Sequence, residues 1–265
     1  MITLAVVMSS SAAVASKRAA LGFFSGVKAL FGGLGFIVTR PSMWGWSMIP
    51  IIAATLLFTG FTGLAIWGSN ELSHHLLGGG ETTASAIGMW ALRVVLWLVS
   101  IVVAFLVAMS LAQPLSGFAL EAIARRQELD LTKRQWPDQP FIASTLRSLR
   151  VSVAALAVSL PILAVLAVIS ILVPPLSIVT IPLKFLVTGL TAAYDFIDYP
   201  LSLRGSGVRS RLGFMKEHFW AVTGFGVAAA LLLLIPGFGL FLLPFGVAGA
   251  TRLIVEADQK AARGL

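Results

Sequence analysis

Cysteine is absent from the 265 residues. That excludes disulfides, thiolate metal sites and cysteine nucleophiles, and leaves the redox compartment open. Charge is scarce as well. Charged residues make up 11% of the chain and hydrophobic ones 58%, against about 25% and roughly 45–50% in a soluble globular domain. A water-soluble fold of this size has too few charges here to cover its surface, so lipid must cover much of it. No HExxH, GxSxG or phosphate-loop pattern occurs. His74 and His75 are adjacent but lack further spaced ligands. These absences exclude a recognisable enzyme, a metal or cofactor site and a primary pump acting alone.

What is present is length without charge. Pro41–Asn70, Val94–Leu120, Val151–Leu183 and Phe219–Thr251 contain no Asp, Glu, Lys or Arg. Each exceeds the ~18 residues that mark a spanning helix. The formal charge of +8 forms no basic run with interleaved aromatics, which speaks against nucleic acid. Basic loops meeting anionic membrane lipid account for it. Met1–Ser16 is small and apolar, and Ala13-Val14-Ala15 imitates a peptidase site. No Lys or Arg precedes it, so a flexible extension over residues 1–20 is expected, with Met8 an available start, rather than a cleaved leader.

Loop charges set the topology. Lys17, Arg18, Lys28 and Arg40 place the N-terminal segment inside. Asn70–Thr83 carries Glu71 and Glu81 but no Lys or Arg, and belongs outside. Glu121–Arg150 holds Arg125, Arg126, Lys133, Arg134, Arg147 and Arg150, and belongs inside. The first two apolar stretches therefore each cross once. Asp195–His218 and the tail after Thr251 are also basic, so the third and fourth stretches must return to the side they left. Pro174-Pro175 and Pro236–Gly239 break them, because proline ends helices. The expected fold is an all-α integral membrane protein. It has two long transmembrane helices plus two membrane-embedded helical hairpins, re-entrant or partly penetrating.

Arm lengths refine this. Phe219–Ile235 reaches about 26 Å and Leu240–Thr251 about 18 Å at 1.5 Å per residue, short of a hydrocarbon core of about 30 Å. The second hairpin is therefore expected to penetrate only partly. The arms Val151–Val173 and Leu176–Tyr194 are long enough to span, with a kink expected at Pro161. The hairpins share a pattern: Pro174 is followed by Pro182, and Pro236 by Pro244.

Particular residues carry a family resemblance. Tyr194-Asp195-Phe196-Ile197-Asp198-Tyr199-Pro200-Leu201 closes the first hairpin. Ile235-Pro236 and Leu243-Pro244-Phe245-Gly246-Val247-Ala248-Gly249-Ala250-Thr251 build the second. Ala112-Gln113-Pro114-Leu115-Ser116-Gly117 ends the second spanning helix, with Glu121 just beyond. From about Gly22 to Asp258 the chain resembles the CysZ sulfate permeases and the wider etoposide-induced-protein-like membrane proteins. The resemblance implies one membrane domain over 21–258 with a cytoplasmic tail over 259–265. It implies a bacterial inner-membrane location with both termini cytoplasmic, a homo-oligomer, and uptake of sulfate or a related small anion. Relatives that are not simply permeases leave a non-transporting scaffold or assembly factor as the alternative. CysZ-type permeases carry a Pro-Gly-Leu-Arg-like element at the first spanning helix, associated with sulfate binding. Here Pro41-Ser42-Met43-Trp44 stands in its place.

Candidate site residues follow. Ser42 is read as a helix cap that leaves the amides of Met43, Trp44 and Gly45 at a positive dipole end, with Arg40 adding a full charge. The opposing reading gives Arg40 to lipid phosphate, and Trp44 and Trp46 to the aromatic belt. Arg93 and Lys184 lie inside or beside apolar stretches, where ionisable groups are functional candidates. Arg93 is expected to snorkel. Lys184 either lines an anion path or pairs with Asp195 or Asp198. Asp198-Tyr199-Pro200 is expected to shape a turn, with a proton relay through Asp195 or Asp198 as the functional alternative. His218 is expected at the interface. Gly60, Gly63, Gly224, Gly226, Gly246 and Gly249 offer small faces for close packing.

The topology has a direct test, since single cysteines can be introduced freely. An impermeant thiol reagent on intact cells is expected to label positions near His74 and to spare positions near Arg209. The reverse pattern defeats the hairpin arrangement.

Overall fold

The computed structural model describes residues 20–77, 83–137, 140–235 and 237–263. The regular elements among them are all helical. In chain order they are α1 Phe23–Val38, α2 Pro41–Leu77, α3 Thr83–Leu115, α4 Gly117–Thr132 and α5 Phe141–Leu172. A 3-10 turn at Pro174–Leu176 leads into α6 Ser177–Leu203. Then come α7 Val208–Glu217, α8 Phe219–Leu233 and α9 Phe238–Ala262. Five of these, α2, α3, α5, α6 and α9, contain stretches long and apolar enough to cross a membrane.

Two kinds of helix are present. In α2, α3 and α5 only 11% of the most apolar 18 residues are buried, against 61% in α9. The first three show apolar side chains almost all round, which is stable only against lipid or further protein. The α5–α6 tip is an extreme case, with Ile171, Leu172 and Ile178 about three-quarters exposed or more (76%, 74% and 81%). The core lies elsewhere. Helix α1 packs on α8 and α9, α9 also meets α4 and α6, and α6 runs against α8. Phe225, Leu30, Ile123, Ile197, Leu242, Leu253 and Ile254 fill the space between them.

Helix α1 was not expected as an element. By charge alone Lys17–Arg40 is an inside segment, yet Phe23–Val38 is a helix with Ala29, Leu30, Gly33 and Ile37 buried. Its glycines explain the fit. A side-chain carbon at Gly26 would overlap the Ala221 carbonyl, and one at Gly33 would overlap the Gly249 amide and the Phe245 carbonyl. From the other side, one at Gly224 would overlap the Phe23 carbonyl. Helix α6 meets α8 in the same way: a carbon at Gly189 would lie 2.6 Å from the Gly226 carbonyl oxygen.

Other expectations need correction. Asp198-Tyr199-Pro200 does not form a turn. Helix α6 continues through these residues to Leu203, and the chain reverses at Gly205 with φ +68°. The second arm of the last hairpin is 25 residues rather than 12, because α9 continues past Thr251 to Ala262. Helical hydrogen bonding does not stop where apolar sequence stops. Pro236 lies outside the described residues, and its neighbour Gly237 takes φ +80° before α9. Pro161 sits inside an uninterrupted α5. Gly60 and Gly63 face nothing within 4 Å, whereas Gly224, Gly226, Gly246 and Gly249 are packed. His218 is buried at 6% exposure, accepts the Leu21 amide at Nδ1 (3.3 Å) and lies against Phe214.

The crossings predict an asymmetry along α1. Gly33→Val is expected to destabilise the detergent-solubilised protein by at least the ~1–3 kcal/mol typical of overpacking. Gly35, with nothing within 4 Å, should accept alanine with a gain of about 0.5–1 kcal/mol from helix propensity. Thermal unfolding followed by size-exclusion chromatography measures both. Equal tolerance of the two changes would contradict this helix contact.

Candidate functional site

Polar side chains recur along α6 at Thr180, Lys184, Thr188, Thr191, Asp195, Asp198 and Ser202. The steps of three and four residues keep all seven on one face of a 3.6-period helix. From Thr180 to Ser202 the rise is about 33 Å at 1.5 Å per residue, close to the thickness of a hydrocarbon core. The helix is therefore apolar in bulk and polar along one line.

The line has three parts. Towards the hairpin tip, the Lys184 ammonium donates to Ser170 Oγ at 2.7 Å, and Ser170 Oγ lies 2.5 Å from Thr180 Oγ1. Lys184 thus donates to a hydroxyl on α5, and of its two readings the pairing with Asp195 or Asp198 is not formed. Asp195 and Asp198 lie 11 and 14 residues along the same helix, about 16 and 21 Å away by the helical rise. In the middle is a cavity of about 320 Å³ whose polar lining comes from Gln113, Ser159, Thr188, Thr191 and Asp195. Gln113 hydrogen-bonds the Asp195 side chain. Asp195 Oδ1 is buried and has no hydrogen-bond partner.

At the end of α6 is a set of ion pairs. Asp198 pairs with Arg211 of α7, whose other terminal nitrogen donates to Ser202 Oγ at 2.9 Å. Arg204 contacts Glu128 of α4 at 3.0 Å and Asp258 of α9 at 2.6 Å. The Glu128 side chain is fully buried and that of Asp258 is half exposed. One arginine thus ties three helices. On α4, burial holds the Arg125 guanidinium below its ordinary pKa, with Glu121 pulling the other way.

The start of α2 differs from its expected form. Pro41 is the first helical residue, so Ser42 lies inside the helix and does not cap it. The Met43 amide donates to the Arg40 carbonyl at 2.9 Å, and the Met43 side chain is buried. Arg40 itself pairs with Asp130 of α4 and lies over the Phe36 ring. Trp44 Nε1 donates to the Ile37 carbonyl at 3.1 Å, tying α2 back to α1. The Met43 amide is therefore not free, and Arg40 is a half-exposed cation already partnered. Arg93 is half-buried on α3. It lies 20 residues, about 30 Å of helix, from Gln113.

The sequence matches the family described as sulfate transporter CysZ/etoposide-induced protein 2.4 over residues 29–244. The chain belongs to this family. With several helices apolar and long enough to cross, it is a multi-pass membrane protein. Among curated relatives, the sulfate transporter CysZ of Pseudomonas aeruginosa strain LESB58 is 37% identical over 70 residues, 26% of this chain and 28% of the relative. The CysZ of Pseudomonas paraeruginosa shows the same identity and coverage. The alignment thus spans little more than a quarter of these relatives' length.

Within this family member, the α6 line joins Lys184, Asp195 and Asp198, leaving Arg40, Ser42, Met43 and Arg93 elsewhere. Gln113, Ser159, Ser170, Thr180, Thr188, Thr191, Arg204 and Arg211 were not singled out from sequence. The three-and-four spacing of hydroxyls through α6 was the signal that could have found four members of the line. The ion pairs had none, since Arg204 and Glu128 are 76 residues apart.

The Asp198–Arg211 pair is buried on both sides, with side-chain exposures of 4% and 8%. Removing one member of such a pair costs about 3–5 kcal/mol, while replacing both with neutral residues costs far less. Arg211→Met is therefore expected to lower stability by about that amount. Asp198→Asn together with Arg211→Met should recover most of it in a double-mutant cycle of thermal unfolding. Additive losses would show that the pair is not coupled.

Proposed function

We propose that the chain is an inner-membrane permease for sulfate or a similar oxyanion, supplying sulfur assimilation. The observation that carries this reading is the family match over residues 29–244. The polar line on α6 gives it a physical route. We take the membrane domain as 21–258, flanked by the N-terminal extension and a short tail, with both termini cytoplasmic. The arrangement is two crossing helices plus two embedded hairpins in a homo-oligomer. The exposed apolar sides of α2, α3 and α5 then face lipid or neighbouring copies.

The route works as follows. An oxyanion in a dry segment needs donors in place of water and a countercharge. Lys184 supplies a positive charge held by neutral hydroxyls. Thr188 and the Gln113 amide supply donors in the next cavity, where the Thr191 and Ser159 hydroxyls already donate to the Val187 and Ala155 carbonyls. A charged Asp195 would repel the ion, so passage requires a proton on that carboxyl, and uptake is coupled to protons there. Arg40 is the cation at the cytoplasmic mouth, and Asp130 competes with the anion for it.

The test is radiolabelled sulfate uptake into proteoliposomes of the full chain. Wild-type uptake is expected to fall as external pH rises, since fewer protons then accompany the ion. Asp195→Asn, permanently neutral, should flatten that dependence. Arg40→Gln should weaken sulfate binding in calorimetry, Arg40→Lys should restore it only in part because bidentate contact is lost, and Asp130→Asn should strengthen it. Unchanged affinity in both Arg40→Gln and Asp130→Asn removes Arg40 from the route. No sulfate binding or uptake by wild type would leave the scaffold reading.

A further inference from the structure

A second cavity adjoins the polar one and shares Ser159 and Thr191 with it. It is a groove of about 430 Å³ between α5, α6 and α7. Its walls include Ala154, Val158, Ile162, Leu190, Leu212 and Met215. The groove follows two helices apolar and long enough to span, so it lies at the depth of the hydrocarbon. Its lining on α5 runs from Ala154 to Ile162, about 12 Å at the helical rise. An apolar slot at that depth accepts an alkyl chain in preference to water or an ion.

One end of the groove is basic. Helix α7 closes it with Leu212 and Met215. On α7, Arg209 and Lys216 stand three residues before and four after Leu212, on the same face, and both are exposed. Arg150 is exposed on α5 one turn before Ala154, at the same end of the antiparallel hairpin. The ion pairs among the described residues take Arg40, Arg204 and Arg211 and leave these three cations out. Glu217, the neighbouring acid on α7, lines the separate cavity beside Arg204 and Asp258. A short helix with an apolar face and flanking cations is the form that settles at an anionic membrane interface. Here that face closes an alkyl-sized slot.

We propose that this groove is a binding site for an anionic phospholipid. One acyl chain lies along Ala154–Ile162 and Val187–Tyr194, and the phosphate sits among Arg150, Arg209 and Lys216. The charge pattern selects the occupant. A peptide or a second copy with an apolar face would not need three unpaired cations at one end. A zwitterionic lipid would gain less from them. The proposal is independent of the transport reading, since it needs only the groove and its basic end.

The experiment is native mass spectrometry of the delipidated full-length protein titrated with dioleoylphosphatidylglycerol or dioleoylphosphatidylcholine. One tight phosphatidylglycerol per chain is expected, with phosphatidylcholine weaker. Arg150→Gln, Arg209→Gln and Lys216→Gln should each lower phosphatidylglycerol affinity about fivefold, from ~1 kcal/mol per basic side chain near an anionic surface. The triple variant should no longer distinguish the two lipids. Ala155→Phe, which fills the groove, should abolish the tight site for both. Leu212→Ser, at a position already half exposed on α7, provides the same arm should the phenylalanine impair folding. Equal binding of the two lipids by wild type, or wild-type selectivity in the triple variant, would overturn the headgroup assignment. A tight site surviving both groove variants would overturn the groove. A dimer that dissociates in the groove variants without any lipid dependence would give the slot to a second copy and overturn the proposal.

Discussion

Backbone-to-backbone contact at glycine governs this molecule. Inside a bilayer, helices gain little from hiding apolar surface, since lipid tails are as apolar as leucine. What remains is close packing, interhelical hydrogen bonding and lipid entropy, and a gap of about an ångström already forfeits roughly half of the dispersion. Gly26 and Gly33 let α1 close onto α8 and α9, and Gly189 and Gly226 let α6 close onto α8. With side chains there, the helices would stand apart, and the aromatic contact of Phe196 with Phe225 (6.2 Å between centroids) would open. The core therefore combines glycine contacts at the helix crossings with large side chains such as Phe225, Leu30 and Ile254 between them.

That arrangement decides where charge can go. The packed helices fill their own centre, so beyond the Lys184 contact with Ser170 of α5 the polar groups of α6 have two directions. One is the cavity towards α3 and α9, where Gln113 meets Asp195. The other is the end of the bundle, where Arg204 and Arg211 gather acids from α4, α6 and α9. Buried pairs of this kind add little net stability against an apolar replacement, yet each is costly to break. Their effect is to fix the register of α4, α7 and α9 against α6, because a shifted helix would strand a charge.

Much of this was legible in the sequence, and the division is physical. The charge-free stretches identified the class, because hydropathy is a local property. The Pro174-Pro175 pair located the break between α5 and α6 for the same reason. Helix α1 escaped, because Phe23–Val38 is too short to span and carries Lys28, and only its partners reveal why Gly26 and Gly33 are there. Asp198-Tyr199-Pro200 misled, since turn-prone residues extend a helix when tertiary contacts hold it. Here Asp198 is clamped by Arg211 and Tyr199 is 3% exposed. The start of α2 misled differently. Local chemistry suggested a capped anion pocket, but Asp130, ninety residues away in the chain, already occupies Arg40.

Helix α6 is where these constraints meet. Its glycine contact holds one face against α8, and its ion pairs hold its end. Its polar line occupies a further face, and its remaining surface is apolar. A helix so committed cannot rotate without breaking a glycine contact or stranding Asp198. Any movement that opens a path along Lys184, Thr188 and Asp195 must therefore come from its less anchored neighbours. Helix α5 is the candidate, since it contributes Ser159 and Ser170 to the line while most of its own surface is exposed. The α5 side chain of Ser159 borders both the polar cavity and the apolar groove. A shift of α5 would exchange volume between the two, so whatever fills the groove bears on the width of the proposed route.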